Sequence, residues 1–126
     1  MHRTLLALAL LPLLGGCEVL ILGSCLLRQD PVLLPESLPA GQVGQPYAEG
    51  VELLGATAPP YVIGVADEGA LPPGLSLSYE PRDRHAFITG TPQQPGHYEL
   101  LIQARTYGTQ CTGQQAQRRY RIDIKP

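Results

Sequence analysis

Cysteine is the residue type whose spacing in this chain points most directly to chemistry. The 126 residues include three cysteines, and two of them close nearly the same phrase, LLGGC at Cys17 and LGSC at Cys25. The third, Cys111, lies in a polar segment near the C-terminus. A thiol can be acylated, oxidised to a disulfide or bound to zinc. No CxxC or HExxH spacing is present, so the sequence gives a zinc site little support.

The residues before Cys17 have the pattern of a secretory signal. MHRTLLALALLPLLGGC has a basic residue near its start, an apolar run from Leu5 to Leu14 and two small residues before the cysteine. The run is shorter than the roughly 20 residues that cross a bilayer as a helix. LLGGC resembles the lipobox of bacterial lipoproteins, in which the cysteine is acylated and the signal is cut just before it. The resemblance implies that Cys17 is the lipidated N-terminus of a membrane-anchored protein.

Cys25 competes with Cys17 for this role, because LGSC matches the same pattern. Acylation at Cys25 would leave Glu18 in the membrane-embedded stretch, where an unpaired acid costs ~2.5 kcal/mol or more. Cleavage before Cys17 also leaves Cys25 and Cys111 available for a disulfide outside the cytoplasm, which we predict. Two alternatives remain: acylation at Cys25, and an uncleaved anchor helix, which the Gly-Gly pair and Glu18 disfavour.

The sequence predicts three segments: a signal peptide at residues 1–16, a lipidated N-terminus and tether at 17–35, and one domain at 36–126. The tether is apolar, unlike a flexible Gly/Ser linker, so we expect it to lie on the bilayer or pack on the domain. Asp30-Pro31 and Pro35 exclude a long helix there, and no window outside the signal predicts a convincing helix. In lipoproteins resembling this one, Glu18 in place of Asp favours the outer membrane where the cell has one.

The domain has the pattern of an all-β sandwich. Turn signals rich in glycine and proline separate short runs in which apolar and polar residues alternate, most clearly from Tyr98 to Arg105. This spacing predicts an antiparallel sandwich of about seven strands. Its predicted core comprises Tyr61, Ile63, Leu77, Ile88, Tyr98, Leu100, Ile102 and Ile122.

Four phrases of the domain carry a family resemblance. LPAGQVGQPY, PPYVIGV, LPPGLSL and ITGTPQQPGHYELLIQA resemble the immunoglobulin-like domains of bacterial surface proteins, a family related to cadherin-like and dystroglycan-type modules. The resemblance covers about Ser37 to Ile124 and implies an immunoglobulin-like fold that serves as a spacer or as an adhesive or binding module. Tyr98, two residues after Gly96, resembles the tyrosine corner of such sandwiches, in which the hydroxyl binds loop backbone.

Several function classes lack support in the sequence. The formal net charge of −2 gives no reason to expect nucleic-acid binding, and no GxSxG or phosphate-binding glycine loop indicates an enzyme or a cofactor. Asp67, Glu68 and Asp83 lack the clustered spacing of a calcium loop. The basic residues near the C-terminus fit either a patch for anionic envelope polymers or lipid head groups, or the protection of a sheet edge; they are Arg118, Arg119, Arg121 and Lys125.

The longest polar loop, Gly108–Gln117, is the first candidate for a contact surface, because sandwiches carry binding residues on their end loops. Its candidate binding residues are Thr109, Gln110, Thr112, Gln114 and Gln115. Two functions are open at this stage. The first is a lipid-anchored, non-enzymatic envelope protein whose domain binds an envelope protein or a glycan. The second is a passive structural or accessory lipoprotein without ligand recognition.

Overall fold

The computed structural model describes residues 16–67 and 70–126. The predicted signal segment before residue 16, the side chain of Cys17 and the loop acid Glu68 lie outside the described residues. Among these residues, one helix precedes eight strands: α1 (Gly16–Leu26), β1 (Val32–Leu34), β2 (Gly41–Gln42), β3 (Tyr47–Leu54), β4 (Pro60–Val65), β5 (Leu75–Tyr79), β6 (His85–Gly90), β7 (Gly96–Thr106) and β8 (Gln115–Lys125).

The strands form two four-stranded sheets, with the orders β1-β3-β6-β5 and β2-β8-β7-β4. All pairs are antiparallel except β2 with β8, which is parallel over two residues. The β7–β8 hairpin is the longest ladder and runs from Gly96 opposite Ile124 to Arg105 opposite Gln115. The predicted all-β sandwich is therefore confirmed. Strand β1 comes from the segment assigned to the tether, so the sandwich includes residues on both sides of Pro35.

The core lies between the sheets, where strands from both contribute every second residue. Five predicted core members are buried: Ile63, Ile88, Leu100, Ile102 and Ile122. Leu77 and Tyr98 are half-buried and pack against that cluster. The Tyr98 hydroxyl donates to the Gln94 carbonyl at 3.1 Å, the loop contact that the tyrosine-corner resemblance implies.

The prediction that Tyr61 lies in the core is wrong, since its side chain is 44% exposed. The pairing of β4 with β7 shifts register between Pro60 and Val62. A bulge inserts one residue and moves the following side chains to the other face. Pro60 and Ile63 are therefore both buried, with Tyr61 and Val62 exposed between them. Simple alternation along this strand could not anticipate the shift.

The prediction of no helix outside the signal is also wrong, because residues 16–26 form α1. Its sequence is a nearly unbroken apolar run, and an acidic residue in the first turn, Glu18, is favoured by the helix dipole. The helix ends before Asp30-Pro31, as the restriction on residues preceding proline requires. No helix among the described residues is long and apolar enough to cross a membrane.

Two tyrosine hydroxyls connect an irregular segment to the sheets through hydrogen bonds to the backbone carbonyls of prolines. Tyr47 donates to Pro39 at 2.9 Å and Tyr120 to Pro35 at 2.8 Å. Burial raises the pKa of Tyr47 to about 12 and raises the pKa of Tyr120, in keeping with the enclosure of both hydroxyls. The segment from Pro35 to Pro39 is thereby held against β3 and β8 at two points.

The core assignment predicts different costs for two substitutions. Ile102→Ala should lower the free energy of unfolding by ~2–5 kcal/mol, because Ile102 is fully buried and truncation leaves a cavity. Tyr61→Ala, at an exposed site, should cost about 1 kcal/mol or less. Urea unfolding of both variants measures the difference, and equal losses would contradict the bulge assignment.

Candidate functional site

The end of the sandwich that we call the tethered end carries the β3–β4 loop, the β5–β6 turn and the β7–β8 loop. There the predicted disulfide is present: Cys25 at the end of α1 is bonded to Cys111, with the Cα atoms 5.5 Å apart and a sequence separation of 86. The bond holds α1 beside the β7–β8 loop. Arg28 adds a second attachment, since its guanidinium donates to the Thr112 carbonyl at 2.8 Å.

Gln114, one of the predicted binding residues, is engaged within the protein. Its Oε1 accepts hydrogen bonds from the backbone N–H of Thr57 at 3.0 Å and from the Thr57 hydroxyl at 3.1 Å. Its Nε2 donates to the Gln29 carbonyl at 2.9 Å. One amide thus joins the tether, the β3–β4 loop and the β7–β8 loop.

The other predicted binding residues occupy the same loop without converging on one cleft. The Thr109 hydroxyl accepts from the backbone N–H of Cys111 at 3.3 Å, and Gln115 pairs with Arg105 at the start of β8. Gln110 and Thr112 are exposed. A cavity of about 360 Å³ beside α1 is lined by Gln114 and Gln115 but by none of the other three.

Sequence reasoning missed an aromatic–arginine cluster at the tethered end. The rings of Tyr61 and Tyr107 meet edge to face with centroids 5.5 Å apart, and the Arg82 guanidinium lies 5.0 Å from the Tyr107 centroid. Both rings are exposed, at 44% and 40%. The bulge in β4 turns Tyr61 outward, which explains why alternation could not find the cluster.

Backbone geometry places Arg82 in this cluster. Its φ of 73° lies in the left-handed region, which non-glycine residues rarely adopt. The Tyr79 hydroxyl stabilises the turn, because it accepts from the Arg82 N–H at 3.0 Å and donates to the Pro60 carbonyl at 2.7 Å. Burial raises the pKa of the Tyr79 hydroxyl. The positive φ of Arg82 places its side chain over the Tyr107 ring, and nothing in the sequence indicates this backbone conformation.

A second surface, the edge groove, opens where strands β4 and β5 face each other at the borders of the two sheets. Its volume is about 580 Å³, within the ~300–1,000 Å³ of ligand-binding clefts. Half-buried Val65, Leu71 and Leu77 line it above buried Ile63 and Leu75. The groove is therefore apolar and continuous with the core.

Strand β5 forms one border of the groove and has the least protected edge among the described strands. Strands β1 and β2 have only three and two residues. Strand β4 begins with Pro60 and carries a bulge, while β8 has the charged Arg118 opposite Ile102. Strand β5, LSLSY, has five residues without charge or proline, and among the described strands it pairs only with β6. Such an edge can accept another strand.

The basic residues of β8 do not form a single free patch. The Arg121 Nε donates to Asp123 Oδ1 at 2.7 Å, and His97 Nδ1 lies 2.6 Å from the same oxygen. The Arg121 hydrogen bond, followed by that of His97, holds the pKa of the Asp123 carboxyl below its usual value. This local pairing favours the edge-protection interpretation. Within residues 16–67 and 70–126, no group of three or more candidate ligands could hold a metal ion.

No protein-family model and no curated protein matches the chain. Among solved structures, it is similar to the sialic acid binding region of a Streptococcus sanguinis adhesin, with 15% identity, a TM-score of 0.54, and coverage of 79% of this chain and 30% of that one. It is also similar to an endo-fucoidan hydrolase of glycoside hydrolase family 107, with 14% identity, a TM-score of 0.53, and coverage of 79% and 14%.

A complex of titin with the immunoglobulin domain of obscurin-like 1 gives 17% identity and a TM-score of 0.52, over 78% of this chain and 96% of that one. The chain thus spans a small part of the adhesin and hydrolase structures but nearly all of the titin-complex chain. At these identities the likeness shows the fold alone. The sandwich is immunoglobulin-like, as the sequence resemblance implies.

The disulfide predicts a large stability difference on reduction. Closing a loop of 86 residues contributes about 4–5 kcal/mol in the chain-entropy model, which is an upper figure. Reducing the protein, or replacing both Cys25 and Cys111 by Ser, should lower the free energy of unfolding by up to that amount. Thiol labelling of the denatured, unreduced protein provides the direct check, and labelling at both positions would contradict the bond.

Proposed function

We propose that the protein is a lipid-anchored, non-enzymatic protein of the cell envelope, acylated at Cys17. Its immunoglobulin-like domain binds an extended segment of another envelope protein in the edge groove between β4 and β5. The outer membrane is the proposed location where the cell has one.

The anchoring part of the proposal is supported by the residues around Cys17. LLGGC has the lipobox pattern, and Glu18 disfavours the later cysteine because an acid is costly inside a bilayer. The bond between Cys25 and Cys111 supports the same choice, since a cysteine in a disulfide cannot also carry a thioether-linked lipid. The two thiols left after acylation at Cys17 are the two that pair.

The observation that carries the binding proposal is the open edge of β5 over the apolar groove. An added strand would gain backbone hydrogen bonds from β5 and place alternate side chains against Val65, Leu71 and Leu77. Its apolar side chains would extend the core of the sandwich. We assign the β7–β8 loop to holding the tether, because Gln114 and Cys111 use their side chains there.

The lining of the groove favours a protein segment over a glycan. Glycans are recognised mainly through directed polar groups and exposed aromatic faces, whereas this lining is mainly aliphatic, and Asp67 is its single charged side chain among the described residues. Tyr79 is the aromatic residue in the lining, and its hydroxyl is engaged with Pro60 and Arg82. An extended peptide with alternating apolar residues fits both the edge and the lining.

The anchor predicts the chemical form of the N-terminus. Protein extracted from membranes should yield an acylated peptide that begins CEVLILG, detected by mass spectrometry. Cys17→Ser should abolish the lipid and leave an unprocessed chain. A lipid on Cys25, or an unmodified N-terminus at Met1 in the native chain, would overturn the assignment.

The binding proposal predicts a position-specific crosslink. A photoreactive amino acid in place of Ser78, on β5, should give a discrete adduct with an envelope protein in intact cells. The control carries the same amino acid at Gln117, on the exposed face of the other sheet, and should give none. Peptide mapping of the adduct should locate the crosslink in an extended segment with alternating apolar residues.

Adding Leu77→Glu to the Ser78 reporter should remove the adduct, because a carboxylate would occupy the apolar groove. Leu77 is half-buried, so the variant must first show cooperative unfolding. If a folded Leu77→Glu chain keeps the adduct, the groove is not the site. A glycan adduct would favour glycan binding, and equal labelling at both reporter positions would favour the passive accessory function.

A further inference from the structure

Exposed apolar side chains are concentrated at the tethered end of the molecule. Among large apolar side chains of the described residues that are exposed, all but Phe87 lie in α1, in the residues directly after it, or at the tethered end of the sheets. They are Val19, Leu20, Ile21, Leu22, Leu26, Leu27, Val32, Leu54, Tyr61, Val62 and Tyr107. A concentration of exposed apolar side chains at one end of a domain marks a contact surface rather than a surface facing water.

Apart from Glu18 in its first turn and Ser24 in its last, helix α1 presents apolar side chains around its whole circumference. Val19, Leu20, Ile21 and Leu22 are consecutive, so at about 100° per residue they point in all directions around the axis. Their exposures are 70%, 75%, 38% and 65%, which means that the sandwich covers none of these faces fully. A helix that is apolar all round is stable in an apolar medium and not in water. At 11 residues, or ~16 Å, α1 is too short to cross the ~30 Å core of a bilayer.

The sandwich presents a compatible surface beside α1. Tyr61 and Tyr107 are exposed aromatic residues with polar tips, the type that is enriched at the boundary between lipid and water. Val32 and Leu54 form an exposed cross-strand pair at the same end. The cystine from Cys25 to Cys111 prevents α1 from moving away from this surface.

We infer that the tethered end is a bilayer-contacting surface. Helix α1 lies in the interface between head groups and acyl chains, and Tyr61 and Tyr107 rest at head-group level beside it. The domain therefore stands on the membrane with a fixed orientation instead of moving freely on its lipid tether. The inference builds on the proposed anchoring, and it assigns a membrane role to side chains outside the lipobox.

Charge does not drive this contact. The basic residues at the tethered end, Arg28, Arg82, Arg84 and Arg105, are accompanied by an equal number of acids among the described residues: Asp30, Glu52, Glu80 and Asp83. Arg28 and Arg84 also donate to the backbone carbonyls of Thr112 and Ala56. We therefore expect the contact to change little when anionic lipids are replaced by zwitterionic ones, because apolar burial supplies its free energy.

The absence of tryptophan in the chain permits a direct test. The mature acylated Tyr107→Trp chain is reconstituted in phosphatidylcholine vesicles that contain lipid brominated on the acyl chains. Its fluorescence should shift to shorter wavelength relative to the same chain in water without vesicles or detergent. The brominated lipid should also quench it. The matched control is Gln94→Trp, at an exposed position of the opposite end, which should show neither effect.

Each outcome bears on the inference separately from the acylation. Both chains are confirmed by mass spectrometry to carry the lipid, so a missing lipid would count against the proposed anchor alone. Equal quenching at the two positions, or none at either, in an acylated chain would overturn the fixed orientation. Photocrosslinking from position 107 to another protein, or to a second copy of this chain, in place of lipid would show that the surface has a protein partner.

Discussion

The architecture depends on one covalent constraint, the disulfide from Cys25 to Cys111. It joins the end of α1 to the loop of the longest hairpin, and Gln114 reinforces it with hydrogen bonds to Gln29 and Thr57. Without these contacts, residues 16–31 would be an apolar segment attached only through β1. With them, α1 becomes part of one end of the sandwich, and it keeps a fixed position relative to the loops at that end.

The same constraint separates two surfaces that differ in kind. The tethered end gathers exposed leucines and tyrosines, whereas the edge groove lies along the side of the sandwich between β4 and β5. The strand edges differ in how well they are protected. Strand β4 has a bulge and β8 has Arg118, whereas β5 has neither charge nor proline. Because the other edges are protected, the open edge of β5 is a selective feature of this fold rather than a general property of its sheets.

Much of the fold could be predicted from sequence, because alternation and turn residues are local signals. Ile88, Ile102 and Ile122 are buried as their parity requires. Tyr61 is not, because the bulge that turns it outward is set by pairing with β7. The aromatic–arginine cluster was invisible because Tyr107 is distant in sequence from Tyr61 and Arg82, and because the φ of Arg82 leaves no mark on residue type. The groove is lined by residues 63–79, which are close in sequence, but it opens because β4 and β5 belong to different sheets, which alternation does not reveal.

The two surfaces together constrain the direction of any bound strand. Strand β5 runs from Leu75, at the far end of the sandwich, to Tyr79, whose hydroxyl bonds Pro60 at the tethered end. If the tethered end rests on a bilayer, β5 points along the membrane normal. A segment paired with its five residues would extend ~17 Å in that direction, at ~3.3 Å per residue. The proposed partner would therefore approach from the side of the domain. Its bound segment would run perpendicular to the membrane, with one end close to the bilayer and the other end farther away. In that orientation the apolar contacts of α1 would hold the domain at a fixed height above the bilayer, and they would thereby set the height at which such a segment can be bound.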